Sequence, residues 1–235
     1  MISQLKREAL DALKGKWGLA VGATLLIGIL IGAVEFLTTG IFSMFWGWEE
    51  ASDSLTVTII AMLIIGPLTT GAYYLVLNVI RGTNASIGHV FRWFSDGSKF
   101  MKAFLTYLLM YVYVILWTLL LIIPGIIKSF SYSMTYFILN DHPEYTANQA
   151  ITESRHMMNG HKMDYFLLCL SFLGWFILSI LTIGIGFLWL APYFYSTSAA
   201  FYEEISKEYY KKKVLLSNKV QLIISGGSLS PLIIS

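Results

Sequence analysis

Residues Tyr165–Tyr202 read YFLLCLSFLGWFILSILTIGIGFLWLAPYFYSTSAAFY, without one Asp, Glu, Lys or Arg. As a single helix the run would be about 57 Å long at 1.5 Å per residue. That is nearly twice the roughly 30 Å hydrocarbon core of a bilayer. The run must therefore fold back on itself, and Gly184-Ile185-Gly186 is the natural turn. This predicts two apolar helices near 165–183 and 186–205, the second kinked at Pro192, because proline removes a helical hydrogen bond. Helices that are apolar all round have no aqueous face and belong in lipid or a deep core.

Further charge-free runs cover residues 17–34, 36–48, 54–80, 103–127 and 129–140. The 235-residue chain is 56% hydrophobic and 13% charged, with a mean hydropathy of +0.66. A soluble domain carries about 25% charged residues, so there are too few charges here to cover a soluble surface. Soluble, fibrous and disulfide-framework folds are excluded. The fold class is all-α, a polytopic helical membrane protein whose partner is the lipid bilayer. Cys169 is the single cysteine, so no intrachain disulfide can form. A net charge of +2 gives no footing for a nucleic-acid partner. No cleavable signal is expected, since Lys6 to Lys16 alternate with Glu8 and Asp11 and no small-residue cleavage site precedes Glu35.

Working outward, Ile2, Leu5, Ala9, Leu13 and Trp17 share one helical face, which predicts a helix lying at the membrane surface. Trp17 to Leu37 forms the first span. Gly18, Gly22, Gly28 and Gly32 make a small-residue stripe along it, expected to pack closely against a neighbour. Residues 46–54 form an acidic loop with two tryptophans. Leu55 to Ile80 is the second span, broken at Gly66-Pro67 and Gly71. A second surface segment, 83–102, sets Ile87, Val90, Phe91 and Phe94 at helical spacing opposite His89 and Arg92. Ala103 to Ile123 is the third span, and Pro124-Gly125 is expected to make a turn or sharp kink after it. Ile126 to Leu139 is either a short returning span or an interfacial helix. Thr146 to Gln149 reads as a capping box that opens a third surface helix, with Gly160 at its end.

If Ile126–Leu139 crosses, six spans result. Every one of the sixteen Lys and Arg residues except Lys128 then lies on the cytoplasmic side, as the positive-inside rule asks. Both termini are cytoplasmic on this reading, and the protein is a multi-pass component of the cell membrane. Three junctions then look alike: Gly15-Lys16, Gly97-Ser98-Lys99 and Gly160-His161-Lys162. In each, a glycine is expected to end a surface helix and a lysine to start a span at headgroup depth. Each hairpin also has a proline followed by tyrosines: Pro67 with Tyr73 and Tyr74, Pro124 with Tyr132 and Tyr136, Pro192 with Tyr193 and Tyr195. Residues 1–206 thus divide into units 1–80, 83–139 and 144–203, each a surface helix plus a helical hairpin. Together the surface helices form a cytoplasmic collar. Residues 207–235 are a charged, then Ser/Gly-rich cytoplasmic tail, expected to have little order beyond residue 213.

A set of ordered motifs runs through this pattern. It comprises Gly66-Pro67-Leu68, Arg81-Gly82, Ile122-Ile123-Pro124-Gly125-Ile126-Ile127-Lys128, Tyr132-Ser133-Met134, Asp141-x-Pro143, Ala150-Ile151-x-x-Ser154, Met157-Met158-x-Gly160-x-Lys162, Leu170-Ser171-Phe172-x-Gly174-Trp175 and Pro192-Tyr193. With these, residues 1–206 resemble the bacterial integral-membrane family catalogued as domain of unknown function 975. More distantly, the Pro-Gly, Ala-x-x-x-Ser and Gly pattern resembles the membrane domain of glycerophosphodiester phosphodiesterases, whose chemistry sits in a separate soluble domain that has no counterpart in this sequence. The resemblance implies a fold and a location. It implies no activity, and the tail beyond about Tyr210 departs from the family pattern.

No hydrolase, phosphate-loop or dinucleotide motif is present, so no enzyme class, cofactor or metal is expected. His89, His142, His156 and His161 read as polar surface residues, and Asp141, His142 and Glu144 lack the spacing of a helical ligand pair. Ser154 and His156 do not face each other on a helix. Glu35 and Lys128 are the two charges inside apolar stretches, and such residues are functional candidates by default. Both are placed near the outer interface, where they are expected to pair. The sequence reads first as a multi-pass integral membrane protein without an assignable biochemical function, with two alternatives: a small permease or exporter component, and a scaffold docking partners through its cytoplasmic surface helices. A continuous polar cavity lined by Thr69, Thr70, Tyr132, Tyr136 and Ser196 would favour the first alternative, and a sealed core with an exposed apolar cytoplasmic groove the second.

Overall fold

The computed structural model describes residues 1–47 and 55–224, so most of the expected acidic loop at 46–54 and the end of the tail lie outside the described residues. The described chain is helical: α1 (Ile2–Leu13), α2 (Trp17–Trp46), α3 (Leu55–Ile80), a 3-10 segment (Ile87–Phe94), α4 (Gly97–Leu120), α5 (Ile122–Tyr132), α6 (Thr135–Asp141), α7 (Ala147–Met157), α8 (Lys162–Leu170), α9 (Leu173–Leu181) and α10 (Phe187–Ile224). Among the described residues five stretches are long and apolar enough to cross a membrane: Trp17–Phe45, Val57–Ile80, Gly97–Leu120, Ile122–Asp141 and Lys162–Leu181. The ambiguous segment is thus longer than Ile126–Leu139, because its helix starts four residues earlier. The expected span at 186–205 is the first half of α10 and is not among the five. Tyr193, Tyr195, Ser196, Thr197 and Ser198 dilute its apolar character.

Packing is concentrated around α3 and the short helices. One buried cluster joins Leu5, Leu77 and Trp93 to Met134, Phe137, Ile138, Ala150, Leu168, Phe201 and Tyr202. A second joins Leu13, Ala20 and Ala23 to Leu68, Leu75, Val79 and Val90. Away from these the helices turn bare apolar side chains outward. Leu119 to Ile123 are all exposed, as are Trp175 to Leu178 on α9, and Ile183 is 95% exposed. Such continuous apolar exposure has no place in water and marks the lipid-facing part of the molecule.

The breaks between helices have local causes. Leu121 is extended (φ −162°, ψ 139°) and separates α4 from α5. The turn therefore lies three residues before Pro124, which sits in the first turn of α5, where its missing N–H is no loss. Gly125 then lies against α4, since a Cβ there would come within 2.5 Å of the Thr118 hydroxyl. The α5/α6 break at Ser133-Met134 is bridged by Ser154 of α7, whose hydroxyl donates to the Ser131 carbonyl (2.8 Å) and accepts from the Met134 N–H (3.2 Å). Ser154 thus holds two pieces of broken backbone rather than merely packing. The α9/α10 turn is closed by its own bonds. From Thr182 to Leu190 every N–H donates to a nearby carbonyl or, at Gly186, to the Thr182 hydroxyl. Ile183 (φ 54°) and Gly184 (φ 86°) provide the reversal.

Several expectations are revised. At the first and third junctions Gly15 (φ 74°) and Gly160 (φ 95°) do end a helix. At the second, Gly97 is the first residue of α4 and Asp96 caps it by accepting from the Ser98 N–H (3.2 Å). The preceding segment is a 3-10 helix with three residues per turn, so the buried face is Val90 and Trp93, while Ile87, Phe91 and Phe94 are exposed. The glycine stripe of α2 is not a tight seam. Added Cβ atoms at Gly18, Gly28 and Gly32 would meet nothing within 4 Å. The closest approach is at Gly71 instead, where a Cβ would fall 2.1 Å from the Val90 carbonyl oxygen. Finally, α10 continues unbroken to Ile224, so the change in composition near residue 213 does not end the helix.

Candidate functional site: a polar junction of three helices

The C-terminal ends of α3 and α6 meet the middle of α10. Arg81, the first residue after α3, forms a fork on Asp141 at the end of α6, with Nη1 to Oδ1 and Nη2 to Oδ2 both 2.7 Å. Its Nε donates to Glu203 of α10 at 2.6 Å. The Tyr202 hydroxyl donates to Asp141 Oδ2 at 2.8 Å. The planar guanidinium matches two carboxylates at once, which a lysine could not do. Hydrogen bonding to Asp141 raises the Arg81 pKa and outweighs the opposing effect of burial, so the charge is permanent. The two acids are largely shielded, with side-chain exposures of 23% for Asp141 and 17% for Glu203.

Directly beside Asp141, Asn140 is buried and fully used. Its carbonyl accepts from the Trp93 indole N–H (2.9 Å), and its amide donates to the Thr70 (2.9 Å) and Tyr136 (2.8 Å) carbonyls. The 3-10 segment, α3 and α6 are thereby tied together. Next comes an aromatic group in which the Tyr73 ring lies 5.0 Å from Tyr136, 4.8 Å from Phe137 and 5.4 Å from Tyr195. Tyrosines that follow Pro67, Pro124 and Pro192 in the sequence therefore meet here. No sequence pattern predicts the ion junction, because Arg81, Asp141 and Glu203 are far apart in the chain and each alone looks like a helix-end charge.

The residues expected to line a polar path do not form one. Thr70, Tyr132, Tyr136 and Ser196 are buried within the packed interior. Thr69 and Ser196 do border a cavity of about 300 Å³ between α2, α3 and α10, but its walls are mainly apolar, including Ala20, Ala23, Ile27, Gly28 and Pro192.

Lys128 does not pair with Glu35. Glu35 is exposed on α2 and makes no ion pair among the described residues. Lys128 stands over the Trp117 ring at 4.4 Å, in a group with Arg155, so it does not lie on the side opposite Arg155 where the six-span reading puts it. The pairing fails because α5 is held between α4, α7 and α8, while α2 packs on α3, α10 and the 3-10 segment. Pro124 and Gly125 shape the α4/α5 hairpin. Lys16 caps α2, Lys99 lies in the first turn of α4, and Lys162 opens α8. Of the histidines, His142 bonds Glu144 at 2.9 Å and stacks on Tyr145, and His89 closes a capping box with Ser86.

No curated protein and no solved structure matches the chain. A family described as "Protein of unknown function (DUF975)" matches residues 1–131 and 119–209, and these two matches overlap at the α4/α5 hairpin. The matched residues take in α1 through the Arg81–Asp141–Glu203 junction, and the chain belongs to this family of unknown function.

Proposed function

We propose that this protein is a non-catalytic, multi-pass helical scaffold of the cell membrane with both termini in the cytoplasm. Its cytoplasmic rim, with Ile87, Phe91 and Phe94 exposed, is the surface offered to a protein partner. The observation that carries the reading is the junction. Arg81 clamps the ends of α3 and α6 to the middle of α10 through four charge-assisted contacts, counting the Tyr202 bond to Asp141. Behind it Thr70 and Tyr136 are packed in the interior, and Thr69 and Ser196 border only a mainly apolar cavity. A permease must open such a closure in part of its cycle, whereas a scaffold keeps it shut.

The test is a distance measurement between spin labels at Asn84 and Lys207, both exposed, in the full chain reconstituted in lipid nanodiscs. A scaffold gives one narrow distance distribution. A second resolved population would overturn the proposal in favour of the permease.

A further inference from the structure

A pocket of about 270 Å³ lies between α4, α5 and α7, bordered by Tyr113, Trp117, Lys128, Tyr132, Asn148 and Arg155. It holds two cations, two phenols, an indole and an amide, and no acid. The Lys162 ammonium and the Arg155 guanidinium both lie close enough to Lys128 for their charges to repel its own. Nothing in the surrounding helices offsets them. Neither α4 nor α5 carries an acidic residue. The single acid of α7, Glu153, is taken by Tyr209 and Lys213 of α10, each at 2.6 Å. Asp164 on α8 is 3.7 Å from His161. Among the described residues no ion pair contains Lys128, Arg155 or Lys162.

Three uncompensated cations beside apolar surface form an arrangement that an anion completes. The neighbouring side chains Leu116, Ile126 and Ile127 are exposed, so the pocket opens onto the lipid-facing side of the α4/α5 hairpin. We infer that this pocket binds the phosphate headgroup of an anionic membrane lipid. Lys128 and Arg155 neutralise the phosphate, with Lys162 adding to the field. The Tyr113 hydroxyl and the Asn148 amide are donors at the same wall. The acyl chains lie along Leu116, Ile126 and Ile127. Trp117 fixes the lysine by carrying its ammonium on the ring face, a contact that gains strength away from water.

The experiment uses the full chain purified in a neutral detergent, with bound phosphatidylglycerol counted by native mass spectrometry against phosphatidylcholine. The wild type should retain phosphatidylglycerol selectively. K128Q/R155Q should weaken that retention by about tenfold or more, the scale of losing charge-assisted bonds. K128R/R155K, which keeps both charges, should retain it. K14Q/K207Q, which removes the same charge elsewhere, should also retain it. Equal loss in K14Q/K207Q would mean diffuse attraction and overturn the site, as would undiminished retention in a folded K128Q/R155Q. Displacement of the lipid by an equal concentration of free glycerol phosphate would assign the pocket to a soluble anion and overturn the lipid assignment.

Discussion

Asn140 uses its carbonyl once and its amide twice, and all three partners belong to other turns of the fold. Replacing it by alanine leaves the Trp93 indole N–H buried without an acceptor. An orphaned buried donor costs about 1–3 kcal/mol. Asn140→Ala should therefore lower the Tm of the detergent-solubilised protein by several degrees, read by the loss of tryptophan signal on heating. An unchanged Tm would mean that Trp93 finds another acceptor. This residue was illegible in the sequence because a lone Asn next to Asp141 looks like the start of a loop. Its partner Trp93 is 47 positions away, and no local periodicity reports a contact of that range.

At the level of elements, the docking of the α10 extension onto α7 depends on one carboxylate. Burial alone would raise the Glu153 pKa, but hydrogen bonds from Lys213 and Tyr209 outweigh it and hold the group below its ordinary 4.5. A carboxyl whose pKa is lower when docked than when free favours docking at every pH above 4.5, and that preference fades as the pH falls through the lowered value. Protection of the amides of residues 205–216, taken relative to the intrinsic exchange rate at each pH, should thus be high at neutral pH and fall as the pH drops below 4.5. Glu153→Gln should remove that pH dependence; persistence of the effect in the variant would assign it to another group. The elements themselves were largely readable. Apolar runs located the long helices, and Thr146 and Gln149 form the capping box their spacing implied. What misled was period and cap. Ile87–Phe94 winds with three residues per turn, so its faces rotate away from those of an α-helix. At Gly97 the cap is Asp96, because an Asp side chain can satisfy a helix start that no glycine is needed to end.

For the whole molecule, membrane character followed from the scarcity of charge, since a chain with so few charges cannot cover itself in water. The arrangement of the helices did not follow, because it rests on Arg81, Ser154 and Asn140, which join distant segments by hydrogen bonds. Topology remains the global expectation to measure. A cysteine placed at Asn84 or Asn159 should stay unlabelled by an impermeant reagent in intact cells and react once the cells are permeabilised. Labelling of intact cells at Asn159 would sink the six-crossing arrangement, because the α7–α8 connection would then lie outside.

The turn at Thr182–Leu190 has a further consequence for how the protein is made. Its backbone donors are all engaged within the turn, and it carries no charged residue. A hairpin with such a tip needs no water at its far end, and inserting it drags no hydrophilic cargo through the hydrocarbon. The α8–α10 hairpin can therefore enter the bilayer sideways as one closed body, from the compartment where it is synthesised, without a separate step that exports its loop.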